Sequence, residues 1–165
     1  MALIKAAFGV TLAALAILCA KSAHSEKEPN ACAMQTAYQY LEAYTQLDMQ
    51  TLEKMYSPDV VFIDPTSLNA PNIAIPVEYQ GKADVLAFIS SLEGNLIDAR
   101  YDLDRTYESS GQVVFVGDAV FTFAGQPHPI TYKSAIVTVI SVQDCLVASH
   151  TDYADYNGMK QISSD

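Results

Sequence analysis

Residues 97 to 156 read IDARYDLDRTYESSGQVVFVGDAVFTFAGQPHPITYKSAIVTVISVQDCLVASHTDYADY, and this stretch decides the fold. Its apolar residues follow the alternating period of β-strands rather than the helical period. Turn-forming residues divide it into four runs, over residues 97–108, 112–124, 130–142 and 145–156. Four such runs joined by short turns predict an antiparallel meander.

Apolar residues at helical spacing precede the meander. We predict three helices and one strand there, over residues 31–46, a short segment after Asp48, residues 82–93 and, for the strand, residues 60–64. Asn30 and Asp48 are suitable N-caps for the first two helices. Residues 57–59 end the second helix, and the proline-containing segment after the strand is predicted as a loop. Three helices followed by a meander indicate an α+β fold in which a curved sheet wraps one long helix.

Length and composition restrict the possible functions. The chain has 165 residues, and 50% of them are hydrophobic, which predicts one compact domain and excludes general disorder. Acidic side chains outnumber basic ones by 19 to 9, giving a formal net charge of -10. Because there is no basic surface to neutralise phosphates, we expect no binding to nucleic acid or to anionic lipid.

The first 25 residues have the pattern of a secretory signal peptide. Lys5 precedes an unbroken apolar run over residues 6–20, and Lys21 and small residues follow it. The run is shorter than the roughly 20 apolar residues that cross a membrane, so we expect no stable membrane insertion after cleavage. Residues 1–25 are therefore predicted as the signal, residues 26–165 as a single domain, and the mature protein as periplasmic or secreted.

Two cysteines, Cys32 and Cys145, remain after removal of this signal. In an oxidising compartment they can form a disulfide, which would close a long loop and stabilise the fold by roughly 4 kcal/mol in the chain-entropy model. The alternative is two separate buried thiols. Sequence leaves both open, because only the distance between the two Cα atoms decides.

The order of elements, together with several local motifs, resembles the nuclear transport factor 2-like superfamily. The motifs are Tyr40, Met55-Tyr56, Asp59, Phe62-Ile63-Asp64-Pro65, Gly81 and His150-Thr151-Asp152-Tyr153-Ala154-Asp155. The resemblance is to its SnoaL-like and ketosteroid-isomerase-like branches. It implies a cone-shaped α+β barrel, with three N-terminal helices packed on a curved, mostly antiparallel sheet around an apolar pocket. It also implies a homodimer.

The resemblance places Asp64 and Tyr40 among the catalytic residues. The ketosteroid isomerases use the Asp before Pro after the first strand as a general base, and Asp64 matches it; Tyr40 matches the tyrosine that binds the oxyanion. Independently, Asp64 ends an apolar strand beside a proline-rich loop, where desolvation would raise its pKa. The alternatives are that Asp64 caps the loop and that Tyr40 is a core residue.

The last predicted strand adds His150 and Asp152 to the candidates. Strand alternation puts them on one face together with Leu146 and Ala148. Asp152 matches a pocket base of SnoaL-like and limonene-epoxide-hydrolase-like relatives, and His150 can exchange a proton near neutral pH. The alternative is that His150 and Asp152 bond each other and tie the strand end to a loop.

The sequence also departs from these relatives. Residues 132–138 lack the second carboxylate of the ketosteroid isomerases, so steroid isomerisation is not implied. Epoxide hydrolases of this fold need an arginine; Arg100 could serve, and Lys133 could be a pocket cation, but an exposed position is favoured for both. The three histidines are too scattered to form a zinc site, and no phosphate-binding glycine loop is present. We therefore predict chemistry without a cofactor or metal.

Three functions remain open at this stage, and the third of them is a purely structural or assembly role. The first is a cofactor-independent isomerase, cyclase, lyase or hydrolase that acts on a small hydrophobic substrate. The second is a non-catalytic module that binds a small hydrophobic ligand in the same pocket.

Overall fold

The computed structural model describes residues 32–70 and 73–162, and in these ranges helices pack against one curved sheet. The helices are α1 (Ala33–Thr45), α2 (Met49–Met55) and α3 (Lys82–Ser90), with a short 3-10 turn at Ser67–Asn69. The strands are β1 (Tyr56–Asp64), β2 (Val77–Gln80), β3 (Leu96–Ser109), β4 (Gln112–Phe123), β5 (Ile130–Gln143), β6 (Leu146–Ala154) and β7 (Lys160–Ile162).

The sheet has the strand order β2-β1-β6-β5-β4-β3, and β7 adds to one end of β5. All neighbours are antiparallel except β1 and β6, which run parallel. The long strands β3 to β6 form the predicted meander, and the sheet curves without closing. The predicted α+β fold with a cone-shaped, mostly antiparallel sheet is thus confirmed.

Helix α1 fills the concave side of the sheet. Its buried side chains recur at helical spacing and include Ala33, Ala37, Tyr40, Leu41 and Tyr44. The helix occupies most of the predicted range 31–46. The predicted cap Asn30 and the predicted signal peptide, residues 1–25, lie outside the described residues.

The second helix begins as predicted. Asp48 accepts a hydrogen bond from the backbone N–H of Thr51 at 3.1 Å and one from the Thr51 hydroxyl at 2.6 Å. The first of these bonds gives a partner to a backbone N–H that the first helical turn leaves unpaired.

In the part of the chain that the structure describes, no helix has the length and apolar character needed to cross a membrane.

Four predicted details differ from the structure. Strand β1 begins at Tyr56, so residues 57–59 belong to the strand and do not end the second helix. The pairing of β1 with β6 shifts register between Tyr56 and Val61. Pro58 lies in this irregular part, where it interrupts no hydrogen bond between the strands. Strands β2 and β7 were not predicted, and β2 lies in the segment predicted as a loop. Helix α3 ends at Ser90 rather than at residue 93. A bulge in β6 changes which side chains share the face of His150 and Asp152. Val147 is buried on this face, and the predicted Leu146 and Ala148 are not.

A disulfide joins the start of α1 to the turn between β5 and β6. Cys32 and Cys145 are bonded, with their Cα atoms 5.7 Å apart and a sequence separation of 113. Of the two alternatives for these cysteines, the structure therefore has the bridge. Such bridges are typical of oxidising compartments.

Candidate functional site

A cavity of about 220 Å³ opens between the concave face of the sheet, α3 and the end of α1. Its wall is mostly apolar and contains two carboxylates, those of Asp64 and Asp152. Both carboxylates come from the ends of neighbouring parallel strands, one residue beyond the Ile63–Thr151 pair. The parallel pairing of the first and last long strands therefore places the two acids side by side.

Asp152 is held through one of its two carboxylate oxygens. The side chain of Thr138, on the adjacent strand β5, donates a hydrogen bond of 2.5 Å to Oδ1. Nε2 of His150 lies 2.9 Å from the same oxygen. Among the described residues we find no hydrogen bond to Oδ2 of Asp152, and the side chain lines the cavity. This second oxygen is therefore available to a ligand.

His150 lies behind Asp152, in the wall of the cavity. It is fully buried, and the rings of Tyr40, Tyr44 and Phe62 surround it at centroid distances of 5.6, 4.9 and 4.5 Å. Its Nδ1 is 2.7 Å from the hydroxyl of Tyr40. Nε2, despite its short distance to Asp152, has no partner in hydrogen-bond geometry among residues 32–70 and 73–162. The structure thus brings His150 and Asp152 together, with the histidine outside the cavity itself.

Tyr40 supports His150 from the other side. Its hydroxyl is 3.0 Å from the hydroxyl of Tyr56, and both rings are buried. Burial and the neighbouring Tyr56 raise the pKa of Tyr40 well above its ordinary value. Tyr40 is not among the side chains that line the cavity. The hydroxyls of Tyr56 and Tyr40, the His150 ring and Asp152 instead form a buried polar chain that ends at the cavity.

Asp64 uses both of its oxygens within the protein. Oδ1 accepts hydrogen bonds from the backbone N–H of Thr66 at 2.9 Å and from the Thr66 hydroxyl at 2.7 Å. Oδ2 accepts one from the Tyr156 hydroxyl at 2.5 Å. Asp64 therefore lines the cavity and also caps the turn after β1, as its alternative interpretation described.

Two tyrosines that the sequence interpretation did not select as site residues, Tyr44 and Tyr101, are close to Asp152. Tyr44 lines the cavity, and no hydrogen bond from its hydroxyl is found among the described residues. The buried hydroxyl of Tyr101 lies near Thr138 and has no partner in hydrogen-bond geometry within the described ranges. Burial raises the pKa of both phenols, and the charge of Asp152 adds to the effect. Both hydroxyls therefore stay protonated and can donate.

The spacing of these two tyrosines in the sequence indicates that both side chains face the inside of the fold. Tyr44 follows Tyr40 by one helical turn, so both lie on the buried face of α1. Tyr101 alternates with Ala99 and Leu103 on the inner side of β3. Thr138 also lies on the inner side of the sheet, on β5. It belongs to residues 132–138, which lack the second carboxylate of the ketosteroid isomerases.

The two basic side chains considered for the pocket lie on the outer face of the sheet. Arg100 pairs with Asp102 at 3.4 Å and with Asp98 at 3.9 Å, and its side chain is 53% exposed. Lys133 lies 2.9 Å from a carboxylate oxygen of Asp118. Neither lines the cavity. Within the described ranges, no three His, Cys, Asp or Glu side chains are placed to share a metal ion.

A family model for the SnoaL-like domain matches residues 37–150. The chain belongs to the SnoaL-like family. The match begins within α1, covers every element from α2 to β5 and ends within β6, so it includes most of the cavity lining but stops before Asp152. No curated protein matches this SnoaL-like sequence significantly.

Solved structures with the same fold come from several bacteria. A provisionally named SnoaL-like polyketide cyclase from Shewanella denitrificans OS-217 is 23% identical, with a TM-score of 0.67 over 76% of this chain and 91% of that chain. An LEH-like epoxide hydrolase from M. tuberculosis is 15% identical, with a TM-score of 0.56 over 77% and 85%.

A third similar structure is a protein with a ketosteroid isomerase-like fold from Catenulispora acidiphila DSM 44928, in complex with trimethylamine. It is 14% identical, with a TM-score of 0.55 over 72% of this chain and 84% of that chain. At these identities the similarity shows the SnoaL-like fold alone, and different activities occur on one fold.

Proposed function

We propose that this SnoaL-like protein is a cofactor-independent enzyme that uses Asp152 as a general base on a small hydrophobic substrate. The observation that carries the proposal is the asymmetry of the Asp152 carboxylate. Thr138 donates a hydrogen bond to Oδ1 and Nε2 of His150 lies 2.9 Å from it, while Oδ2 accepts no hydrogen bond from the described residues and the side chain lines an aromatic cavity. A base that is oriented at one oxygen and free at the other can take a proton from a bound molecule.

Each neighbouring group then has a role in the reaction. Oδ2 of Asp152 removes a proton from carbon or from water, and the hydroxyl of Tyr44, which lines the cavity, donates a hydrogen bond to the oxygen that gains charge. The raised pKa of Tyr44 keeps this phenol protonated during the step. His150 keeps the carboxylate oriented, and the Tyr40 hydroxyl fixes the histidine ring. Isomerase, cyclase, lyase and hydrolase reactions can each begin with such a step.

A generic carbon acid tests this proposal without knowledge of the natural substrate. Ring opening of 5-nitrobenzisoxazole begins with removal of a C–H proton and releases a coloured phenolate. We expect the protein to accelerate this reaction over buffer, and Asp152→Asn to lose about 100-fold or more of the acceleration. Asp118→Asn, which removes a carboxylate from the outer face, is the matched control. An Asp152→Asn variant with the full rate, or no acceleration by the unaltered protein, would refute the proposal.

The second candidate function is a binding module for a small hydrophobic ligand. It is favoured by Asp64, whose three internal hydrogen bonds make it a structural cap in the cavity wall rather than a free acid. A binding module predicts that the protein and Asp152→Asn retain the same co-purified apolar molecule in equal amount. An enzyme predicts turnover that only the unaltered protein shows.

The proposal extends to the cellular location. Export to the periplasm or medium is supported by the disulfide between Cys32 and Cys145 and by the signal-like sequence of residues 1–25. Mass spectrometry of the protein from its native host should find a mature chain that begins at Glu26. A chain that retains residues 1–25 in the cytosol would contradict export.

We also expect a homodimer formed through the outer face of the sheet. On this face, Val114 pairs with Val139 and Val116 pairs with Val137, and all four side chains are only half-buried. Two copies of such a surface can cover each other in a symmetric dimer. Light scattering should give twice the mass of the chain at micromolar concentration, and a monomer would remove this expectation.

A further inference from the structure

The lining of the cavity combines two carboxylates with seven aromatic rings and contains no basic side chain. Four of the rings lie on the helices, on β1 and after β6, and three lie on β4 and β5. Lys, Arg and His are absent from the lining, which lies entirely within the described residues. An apolar cavity in a protein ordinarily pairs each buried charge with a partner of opposite sign.

The hydrogen bonds to the two carboxylates come from uncharged donors. The donors to Asp64 are a backbone amide and two hydroxyls, and the donor to Asp152 is the Thr138 hydroxyl. Nε2 of His150 lies 2.9 Å from Oδ1 of Asp152, outside the cavity lining and without a partner in hydrogen-bond geometry among the described residues. Burial raises the pKa of Tyr101 and of Tyr156, and the charges of both carboxylates add to this effect.

The aromatic rings form two arcs around these charges. On the sheet, the ring centroid of Phe123 lies 6.3 Å from that of Phe121 and 6.4 Å from that of Tyr132. On the other side, Phe62 lies 6.0 Å from Tyr44 and 5.1 Å from Phe88. Arcs of this kind surround a volume in which a cation can lie within about 6 Å of several ring centroids.

We propose that the cavity selects a small organic cation, a tertiary or quaternary alkylammonium, over neutral molecules of the same shape. The proposal rests on the use of this cavity as a ligand site and names the substrate class for the proposed function. The alkyl groups of such a cation fit the apolar wall, its charge is attracted by the ring faces, and the adjacent Asp64 and Asp152 supply opposite charge. The volume of about 220 Å³ equals about seven liquid water molecules and suits a compact ion.

The same balance of charges excludes other ligand classes. A carboxylate or phosphate ligand would meet two negative side chains and no positive one in the wall. The nearest paired cations, Arg100 and Lys133, lie on the opposite face of the sheet with carboxylates of their own. The cavity therefore repels anions.

The test compares two molecules that differ by one atom, choline and 3,3-dimethyl-1-butanol. The first has a quaternary nitrogen where the second has a carbon, so their shapes match and only the charge differs. Isothermal titration of the full mature protein at low ionic strength should show choline binding at least about tenfold more tightly. Added salt should reduce this preference only slightly, because the site is enclosed.

Three variants identify the residues that are responsible for the preference for choline. Asp152→Asn and, as a second variant that keeps every carboxylate, Phe121→Leu should each reduce the preference for choline several-fold. Asp118→Asn, on the outer face, should leave it unchanged. Circular dichroism of each variant verifies that it folds.

The outcomes separate this inference from the proposed function. Equal binding of the two molecules, tighter binding of the alcohol, no measurable binding of choline, or a preference that survives both cavity variants would overturn the inference. The benzisoxazole reaction reports the base independently. If the rate of the benzisoxazole reaction depends on Asp152 but choline is not preferred, the general-base proposal is retained and the inference of a cationic ligand is rejected.

Discussion

At the residue scale, the main feature is the buried chain from Tyr56 through Tyr40 and His150 to Asp152. Each of its links is a contact between 2.7 and 3.0 Å, and all four side chains are at least nine-tenths buried. Low local dielectric makes such a chain rigid when it is complete and costly when one member is missing. The orientation of Asp152 therefore depends on residues that no ligand touches.

Tyr40→Phe tests this dependence. The variant removes one hydroxyl and leaves Nδ1 of His150 and the hydroxyl of Tyr56 without that partner. We expect a loss of about 1 to 3 kcal/mol in the free energy of unfolding, measured by urea denaturation. Tyr38→Phe is the control, because the Tyr38 hydroxyl bonds Thr106 at the exposed surface and its loss should change stability by less than about 0.5 kcal/mol. Equal stability of the two variants would contradict the role of the chain.

Buried phenols make the fold sensitive to alkaline pH. Burial raises the pKa of five of the ten tyrosines above the ordinary value: Tyr40, Tyr44, Tyr56, Tyr101 and Tyr156. In the unfolded chain these phenols ionise at about pH 10, whereas the folded state keeps them protonated. Their contribution is fully present below about pH 10 and is lost as the pH rises above it, because only the unfolded state releases the protons.

We therefore expect the urea midpoint to fall steeply between about pH 9 and pH 11. Phenolate absorbance, measured during the same titration, should show half of the tyrosines ionising only as the protein unfolds. Ionisation of all tyrosines near pH 10 in a protein that remains folded would contradict this expectation.

At the scale of single elements, the bulges control which side chains face the cavity. Ser141 pairs with Ser149, but the next residue, Val142, pairs with Val147, so Ala148 has no partner on β5. This extra residue reverses the alternation of β6 before His150. A similar shift in β3, between Leu103 and Arg105, lies opposite Gly117 of β4.

Gly117→Ala tests the close contact at the second bulge. A Cβ atom there would lie 2.3 Å from the carbonyl oxygen of Asp102 and 2.9 Å from Cα of Leu103. Since these are backbone atoms of the paired strand, the strands must separate. We expect a loss of about 1 to 3 kcal/mol in the free energy of unfolding, measured by chemical denaturation. A variant as stable as the original protein would show that the bulge can move without cost.

The sequence predicted the elements whose pattern is local and regular. The helix around Tyr40, the cap at Asp48 and the four strands of the meander follow directly from helical and alternating periods. Strand β2 was missed because it is a four-residue edge strand in a proline-containing segment. A strand of this length is too short to show a recognisable alternating pattern. The early start of β1 was missed because Pro58 ordinarily ends a ladder, and only the bulge in its pairing with β6 accommodates it.

The candidate site could be predicted only in part for a related reason. The strand pattern and the resemblance singled out His150 and Asp152, and both lie at the inner face. The role of Tyr44 depends on the cavity that curvature creates, and no local pattern distinguishes a lining tyrosine from a core tyrosine. The hydrogen bonds of Asp64 with Thr66 are local, but the third comes from Tyr156, which lies 92 residues away in sequence.

At the scale of the whole molecule, the disulfide joins two regions that no regular element connects. Breaking it, by reduction or in the double variant Cys32→Ala and Cys145→Ala, opens a loop of 113 residues. In the chain-entropy model we expect a loss of about 4 to 5 kcal/mol in the free energy of unfolding, measured by urea denaturation. Reducing agent should not affect the double variant. A reduced protein as stable as the oxidised one would refute this expectation.

The parallel pairing of β1 with β6 also determines when the cavity can come into existence. Asp64 and the strand that carries it are synthesised before their neighbour in the sheet, because β6 follows β1 in the chain with β2 to β5 between them. Until then β1 has only the short β2 beside it, and the acid pair, the polar chain and the aromatic arcs are all incomplete. Folding must therefore wait for a contact between distant parts of the chain, which is a slow step. A nascent chain that lacks β6 has no complete cavity, so neither the proposed binding nor the proposed chemistry can precede the synthesis of β6.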